Sequence, residues 1–173
     1  MNSNTRKLVS AAVVGAVYAA LTMCLAPLSY GALQFRVSEM MCVLPFFMPW
    51  TSWGLFLGCA LANVISSAGI LDVVFGSLAT LLSCLCIAAL GRSGNTGIVS
   101  KLLACLMPVL FNGVIIGAVL AWTTVSKDGF WVAMPLLGIQ VAGGEAAVML
   151  VLGLPALCWL PKQIFFKKIM SSY

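Results

Sequence analysis

The chain alternates between long apolar runs and short polar stretches. No charged residue occurs between residues 8 and 35 or between residues 40 and 71. A helix needs about 20 residues to cross a hydrocarbon core of roughly 30 Å, so these runs are typical of membrane-spanning helices. We predict a single all-α membrane domain, 1–173, in which six transmembrane helices form one bundle. Their approximate bounds are 7–28, 34–48, 52–66, 71–90, 98–122 and 130–160.

Prolines and glycines divide the apolar runs. Proline lacks an N–H group and its ring clashes with the preceding turn of an α-helix. Pro49 is therefore expected to separate the second helix from the third, and Pro45 to kink the second. Turns are predicted at residues 66–69, 91–97 and 126–129, and Gly143-Gly144 is expected to interrupt the sixth helix.

Composition agrees with this pattern. Hydrophobic residues make up 62% of the chain, charged residues make up 8%, and the mean hydropathy is +1.13. Soluble domains are about half apolar and a quarter charged, so the composition indicates an integral membrane protein. A net charge of +5 would suggest nucleic acid as the partner of a soluble protein. Here the basic residues are better explained by topology, and no nucleic-acid partner is expected.

The basic residues predict the orientation of the bundle. Six helices place both termini on the same side, and cytoplasmic loops carry an excess of Lys and Arg. Lys127 is in a loop at one predicted face, whereas seven basic residues are at the other: Arg6, Lys7, Arg92, Lys101, Lys162, Lys167 and Lys168. We therefore expect both termini to be cytoplasmic.

A polar stretch, residues 34–39, opens the second predicted helix. A charge inside a bilayer costs several kcal/mol, so it needs a partner, a cavity or a ligand. If the stretch is helical, Arg36 and Glu39 are i, i+3 and share one face, while Gln34 and Ser38 are i, i+4 on an adjoining one. Two interpretations remain open: an ion pair that orients two helices, or one wall of a polar ligand pocket.

Other intramembrane polar residues favour the pocket. On the predicted topology, polar groups from five helices converge on the outer half of the bundle, and the first helix contributes none of them. A lone ion pair needs two such groups, whereas the candidate substrate-binding set has eight. Its members are Gln34, Arg36, Glu39, Asn63, Asp72, Asn112, Gln140 and Glu145.

The first predicted helix carries a stripe of small residues. Ala12, Ala16 and Ala20 are spaced i, i+4, i+8, with Gly15 and Ala19 beside them. Small residues at this spacing let another helix approach closely. The spacing alone suits internal packing and a partner protein equally well.

Several classes of function are not expected. The chain has no histidine, which removes the usual zinc sites and Ser-His or Cys-His catalysis. No GxxxxGK[ST] motif occurs, so ATP hydrolysis is not predicted. The seven cysteines form no CxxC pair and fall in apolar segments, which predicts buried thiols and no disulfide framework. We expect no enzyme activity, no metal site and no cofactor in this chain. A substrate-binding subunit, an obligate oligomer and a small channel remain.

Three motifs resemble those of a known family. Residues 25–39, LAPLSYGALQFRVSE, are similar to a motif of the QueT family, and residues 58–63, GCALAN, and 71–81, LDVVFGSLATL, to its next two. Asn112-Gly113 and Gly144-Glu145 fit the later motifs more loosely. The likeness covers essentially the whole chain. Members of this family are S components, the substrate-binding subunits of energy-coupling factor (ECF) transporters, and are associated with uptake of queuosine-related compounds.

The resemblance implies partners and a location. It implies an S component in a bacterial cytoplasmic membrane, crossing it several times among the lipids and capturing substrate from outside. A transmembrane T component and two cytoplasmic ATPases would complete the transporter, and ATP would be used by those partner subunits. S components of this class use an AxxxA surface on the first helix to dock the T component, which Ala12, Ala16 and Ala20 match.

The ligand chemistry agrees with the polar residues. A 7-deazaguanine such as queuine, the base of queuosine, presents adjacent N–H donors for a carboxylate and an oxygen acceptor for an amide or arginine. Its flat ring needs an apolar or aromatic face, which Tyr30 and Phe35 are expected to supply. The alternatives are an S component for another vitamin or nucleobase, or a small cation or proton channel lined by Glu39, Asp72 and Glu145.

Overall fold

The computed structural model describes residues 2–31, 34–66, 68–125 and 127–170, so Ser67 and Ser126 of the predicted turns lie outside the described residues. Within these ranges all regular structure is helical. The α-helices are α1 (Ser3–Cys24), α2 (Ala26–Ser29), α3 (Thr51–Asn63), α4 (Ser77–Arg92), α5 (Ile98–Thr124), α6 (Phe130–Val148), α7 (Leu154–Trp159) and α8 (Ile164–Met170). π-helical turns at Asp72–Gly76 and Met149–Gly153 lead into α4 and α7, and 3₁₀ helices occur at Val37–Phe46, Lys127–Gly129 and Leu160–Lys162.

Four segments among the described residues are long and apolar enough to cross a membrane. They are Ser3–Cys24, Asp72–Arg92, Ile98–Thr124 and Phe130–Lys162, and they correspond to the first, fourth, fifth and sixth predicted helices. The two segments between them are shorter: α3 has 13 residues and the 3₁₀ helix Val37–Phe46, called the long 3₁₀ helix below, has 10. The described residues are all-helical, with four candidate spans as in a multi-pass membrane protein, and six complete crossings remain a prediction.

The second predicted helix differs most from its expectation. It starts at Val37 and not at Gln34, which has a left-handed φ of 45° and stands outside any helix. The predicted i, i+4 relation of Gln34 and Ser38 on one helical face is therefore wrong. The segment is also wound as a 3₁₀ helix, which few sequences sustain beyond one turn. Pro45 lies inside it and Pro49 lies in the turn before α3, so the predicted separation of the two helices is confirmed.

The expected interruption at Gly143-Gly144 is wrong. α6 continues through both glycines to Val148, and the irregularity comes later, in the π-helical turn Met149–Gly153. Glycine weakens a helix in water, but in hydrocarbon the backbone has no other hydrogen-bond partner, so the helix continues. α4 likewise extends two residues past its predicted end, to Arg92, and α8 is an additional helix after the sixth predicted one.

Glycines permit the closest helix contacts. A Cβ atom on Gly54 of α3 would lie 1.9 Å from the backbone oxygen of Ala11, and one on Gly58 would lie 2.3 Å from that of Gly15. Any side chain at these two positions would force α1 and α3 apart. The pair forms a G-x-x-x-G motif, a known signal of close helix packing in membranes, which the sequence interpretation overlooked.

Basic residues gather at one end of the bundle. The Lys7 ammonium lies 5.2 Å from the centre of the Trp50 ring, and the Trp50 indole donates to Ser10 Oγ at 3.0 Å. At the same end the ring centroids of Phe47 and Phe166 are 5.4 Å apart, which places α8 there too. α5 starts near Lys101 and runs to the opposite end. The start of α1 and the helix α8 therefore lie at the same end of the bundle.

Candidate functional site

The long 3₁₀ helix aligns a row of polar side chains. A 3₁₀ helix has three residues per turn, so side chains at i and i+3 lie directly above one another. Arg36 caps this helix, and Glu39 and Cys42 follow at that interval; all three are buried. The predicted shared face of Arg36 and Glu39 is therefore confirmed, by a helix type whose register suits it better than an α-helix does.

Glu39 is surrounded by donors. It is fully buried, and its Oε1 accepts a very short hydrogen bond from the Tyr18 hydroxyl. The Cys42 thiol donates to Oε2 at 3.0 Å. The Thr80 hydroxyl lies 3.3 Å from both Glu39 Oε1 and Cys59 Sγ. We call Tyr18, Glu39, Cys42, Cys59 and Thr80 the Glu39 cluster; it joins α1, the long 3₁₀ helix, α3 and α4.

Arg36 lies between two acids. Its guanidinium nitrogens are 3.9 Å from Glu39 Oε1 and 3.9 Å from Asp72 Oδ2, distances of ion pairs that are too long for direct hydrogen bonds. Nη1 also donates weakly to Cys59 Sγ at 3.7 Å, whereas Nη2 has no hydrogen-bond partner among the described residues. Two carboxylates thus compensate the charge of Arg36, but its guanidinium still has N–H groups without a hydrogen-bond acceptor.

The predicted aromatic wall is only partly assembled. The Arg36 guanidinium lies 5.7 Å from the centre of the Tyr30 ring, in range of a cation–π contact. Tyr30 follows α2, outside the spanning helices, and its hydroxyl donates to the Ala62 carbonyl at 2.5 Å. Partial burial raises the pKa of this phenol above its ordinary value, so it remains a donor at neutral pH. Phe35 is half-buried, and no ring contact is observed for it among the described residues.

Asn63 and Asp72 are neighbours at the start of the fourth predicted helix. The Asn63 amide donates to the backbone oxygen of Asp72 at 3.0 Å. A Cβ atom on Gly76 would lie 2.6 Å from both Asn63 Nδ2 and Asp72 Oδ1, so glycine is required for this close approach. Both side chains are almost fully buried and keep one oxygen each without a partner in the described part of the chain.

Asn112 and Glu145 form a second buried pair, between α5 and α6. The Asn112 amide donates to Glu145 Oε1 at 2.8 Å. The two helices come close because Gly117 faces Gly138, where an added Cβ would lie 2.5 Å from the Gly138 Cα. Both α5 and α6 pack against the long 3₁₀ helix, which carries Glu39 and is capped by Arg36. The Asn112–Glu145 pair and the Glu39 cluster therefore lie on neighbouring elements of the bundle.

Two predicted site residues stand apart from this network. Gln34 and Gln140 are half-buried, and neither side chain makes a hydrogen bond within the described ranges. Gln140 precedes the buried stripe of α6, which comprises Val141, Gly144, Glu145 and Val148. Its side chain therefore leaves the helix in a different direction from that of Glu145.

The expectation that the first helix contributes nothing to the site is wrong. Tyr18 donates to Glu39, and Thr22 Oγ1 lies 2.6 Å from Ser38 Oγ. Tyr18 and Thr22 are i, i+4 in the part of α1 after Ser10, which is otherwise apolar, and this spacing is visible in the sequence. The prediction of buried thiols is confirmed for four cysteines, Cys42, Cys59, Cys84 and Cys105, and is wrong for Cys24, which is exposed; Cys86 and Cys158 are half-buried.

Buried polar atoms without partners concentrate at the predicted site. Eight such side-chain atoms occur in the described ranges. Three are the hydroxyls of Ser29, Ser52 and Ser100, and the other five are Arg36 Nη2, Asn63 Oδ1, Asp72 Oδ1, Asn112 Oδ1 and Glu145 Oε2. These five atoms comprise one donor and four acceptors. A buried unpaired polar atom costs about 1–3 kcal/mol, so they would bind a complementary ligand favourably.

A ligand can reach these five atoms only if side chains move, because the residues that carry them are at most 3% exposed. Three surface grooves are lined almost entirely by apolar side chains, and none of the three is formed by this site. No group of three or more His, Cys, Asp or Glu residues in the described ranges is arranged to hold a metal ion.

The alanine stripe of α1 lies on the surface. Ala12, Ala16 and Ala20 are exposed, whereas Ala11, Gly15, Tyr18, Ala19 and Thr22 form the buried face of the helix. The stripe borders a groove between α1 and α3 that contains Ala12, Ala16, Trp53 and Leu57. Internal packing therefore does not account for the three alanines, which we call the alanine face.

Comparison with known proteins identifies the family. The model of the QueT transporter family matches residues 8–162. The queuosine precursor transporter QueT of Lactococcus lactis subsp. cremoris (strain MG1363) is 40% identical over 82 residues, which cover 46% of this chain and 48% of that protein. The match thus spans about half the length of this curated relative. No solved structure matches the chain. Since the family model covers nearly the whole sequence, the chain belongs to the QueT transporter family.

Proposed function

We propose that this chain is the substrate-capture subunit of an ECF-type importer and binds a queuosine-related 7-deazaguanine from outside the cell. The relative from Lactococcus lactis is described as a queuosine precursor transporter. The observation that carries the proposal is the set of five unpartnered buried atoms on Arg36, Asn63, Asp72, Asn112 and Glu145. They come from the cap of the long 3₁₀ helix, α3, the π-helical turn before α4, α5 and α6.

The donor and acceptor pattern suits this ligand. A 7-deazaguanine carries adjacent N–H donors and one carbonyl oxygen on the same edge. Asn63 Oδ1 and Asp72 Oδ1 are acceptors for the donors, and Arg36 Nη2 is a donor for the oxygen. The Tyr30 ring, which already packs against the Arg36 guanidinium, is a face on which the flat base can stack.

Capture without transport is the direct test. We expect purified protein, titrated calorimetrically, to bind at least one of queuine, queuosine, 7-cyano-7-deazaguanine and 7-aminomethyl-7-deazaguanine. Cells that express the chain alone should not accumulate the ligand, because partner ATPases supply the energy. If none of the four compounds binds, the assignment fails. Liposomes containing the lone protein test the channel alternative, since a capture subunit should give no cation or proton flux.

The alanine face is the proposed docking surface for the T component. Ala16 lies at its centre, and a large side chain there would hold an approaching helix off by several ångström. We expect Ala16→Trp to retain ligand binding but to lose co-purification with the T component and the two ATPases. Val17→Trp is the matched control, because Val17 is 44% exposed on the adjoining side of α1. Lost ligand binding with intact assembly would show that the stripe supports the fold instead.

We further propose that the chain crosses a bacterial cytoplasmic membrane six times with both termini inside. The support is the gathering of basic residues at the end that contains the start of α1 and α8. Fusions of a fluorescent protein and of alkaline phosphatase to the C-terminus test this orientation. The fluorescent fusion should be bright and the phosphatase fusion inactive; the reverse result contradicts the topology.

A further inference from the structure

The three buried acids of the site are compensated unequally. Glu39 faces Arg36 and accepts hydrogen bonds from three side chains. Asp72 faces the same arginine from the other side. Glu145 forms no ion pair with any described residue and accepts a single hydrogen bond, from the Asn112 amide. One cation therefore serves two acids, and the third has a neutral partner only.

The Asn112–Glu145 pair also has spare acceptors. The Asn112 NH₂ group donates to Glu145 Oε1, and both Asn112 Oδ1 and Glu145 Oε2 are buried without partners among the described residues. The two residues are 2% and 3% exposed, which keeps water from solvating them freely. A group that complements this pair must supply two or more donors and, best of all, a positive charge. A protonated amine has three donors and that charge.

Building on the proposed function, we infer that Asn112 and Glu145 form the subsite for a cationic amine of the ligand, while Arg36, Asn63 and Asp72 bind the ring. The two parts are adjacent in the bundle, because α5, which carries Asn112, packs against both the long 3₁₀ helix and the π-helical turn that begins at Asp72. The substrate class is then a 7-deazaguanine whose 7-substituent is a protonated amine. A neutral nitrile at the same position has no donor and leaves Oδ1 and Oε2 unpaired.

Two ligands that differ only in the 7-substituent, a protonated amine in one and a neutral nitrile in the other, test the inference. We expect wild-type protein to bind 7-aminomethyl-7-deazaguanine about tenfold to a hundredfold more tightly than 7-cyano-7-deazaguanine, the range for a hydrogen bond to a charged group. Calorimetric titration of the purified protein measures both constants. If neither of these compounds binds, and queuine and queuosine do not bind either, the proposed function itself fails. Binding of queuine or queuosine without binding of the aminomethyl compound keeps that function and overturns the subsite. Equal binding of both leaves that function standing and overturns the subsite.

Two substitutions test whether Glu145 causes the preference for the aminomethyl ligand over the cyano ligand. Glu145→Gln should reduce the preference to about threefold or less, chiefly by weakening the aminomethyl ligand, because the charge is lost while the shape is kept. Asp72→Asn is the control: it removes an acid from the ring-binding part and should weaken both ligands by a similar factor. A preference that survives Glu145→Gln overturns the assignment. The wild-type comparison stays decisive even where a variant fails to fold.

Discussion

Glu39 and Glu145 are both buried glutamates, yet the protein treats them differently. Glu39 has donors from Tyr18, Cys42 and Thr80, and a guanidinium 3.9 Å away. Glu145 has one amide donor and an oxygen without a partner. The first carboxylate is already satisfied by the protein, and the second is not. A buried charge that the fold satisfies supports the fold, whereas one that the fold leaves open is available to a ligand.

The hydrogen bonds of the two glutamates also connect different numbers of segments. The Glu39 cluster joins four segments, so its hydrogen bonds fix their relative positions. The Asn112–Glu145 pair joins only α5 and α6, which already touch through Gly117 and Gly138. Loss of the first set therefore removes hydrogen bonds that link four segments at once. Loss of the second leaves the glycine contact in place. The comparison orders the effects of the substitutions below.

The largest loss of stability is expected for Glu39→Gln. The amide keeps one acceptor, presents N–H groups to donors, and leaves Arg36 with a single acid. Removing one partner from a buried ion pair lowers stability by about 3–5 kcal/mol. We expect a loss near the lower value, because Asp72 still compensates the charge of Arg36. Thermal unfolding of the protein in detergent measures the change.

Asp72→Asn is the matched control for Glu39→Gln. Asp72 is as far from Arg36 as Glu39 is, 3.9 Å, but its carboxylate accepts no side-chain hydrogen bond within the described residues. It should therefore destabilise less than Glu39→Gln. Equal losses of stability would mean that the ion pair with Arg36, and not the hydrogen bonds that Glu39 accepts, distinguishes Glu39 from Glu145.

A smaller loss is expected for Tyr18→Phe. It deletes one donor to Glu39 and leaves Cys42 and Thr80 in place. A hydrogen bond to a charged group contributes about 1.5–3 kcal/mol. Thr22→Val removes the adjacent link between α1 and Ser38, a bond between two neutral hydroxyls worth about 0.5–1.5 kcal/mol. Melting temperatures should therefore fall further for Tyr18→Phe than for Thr22→Val, and the opposite order would contradict the role given to Glu39.

Much of the fold was predictable because hydrocarbon imposes simple rules. Length and hydropathy identified the four long segments. The i, i+3 spacing of Arg36 and Glu39 was also correct, since local spacing survives a change of helix type. Gly143-Gly144 misled the prediction, because propensities measured in water overstate what glycine does inside a membrane.

The assembly of the site was less predictable. Asn112 and Glu145 are 33 residues apart, and their hydrogen bond depends on how α5 and α6 are rotated about their axes. Tyr18 and Thr80 carry neither a charge nor an amide, so neither was predicted to lie at the site, yet a buried carboxylate takes hydroxyl and thiol donors equally well. Gln140 was included by its type alone; it is five residues from Glu145 in α6, so the two side chains leave the helix about 140° apart.

The smallest effect on stability is expected for Glu145→Gln. The glutamine oxygen still accepts from the Asn112 amide, and its new NH₂ group can donate to Asn112 Oδ1, which otherwise has no partner. Two amides then satisfy each other and no buried charge remains, so unfolding should change by less than about 1 kcal/mol. Glu145→Leu is the control, because it strands the Asn112 amide and should cost about 1–3 kcal/mol. Similar melting temperatures for Glu39→Gln and Glu145→Gln would show that the two carboxylates support the fold alike, and Glu145 would then be as structural as Glu39.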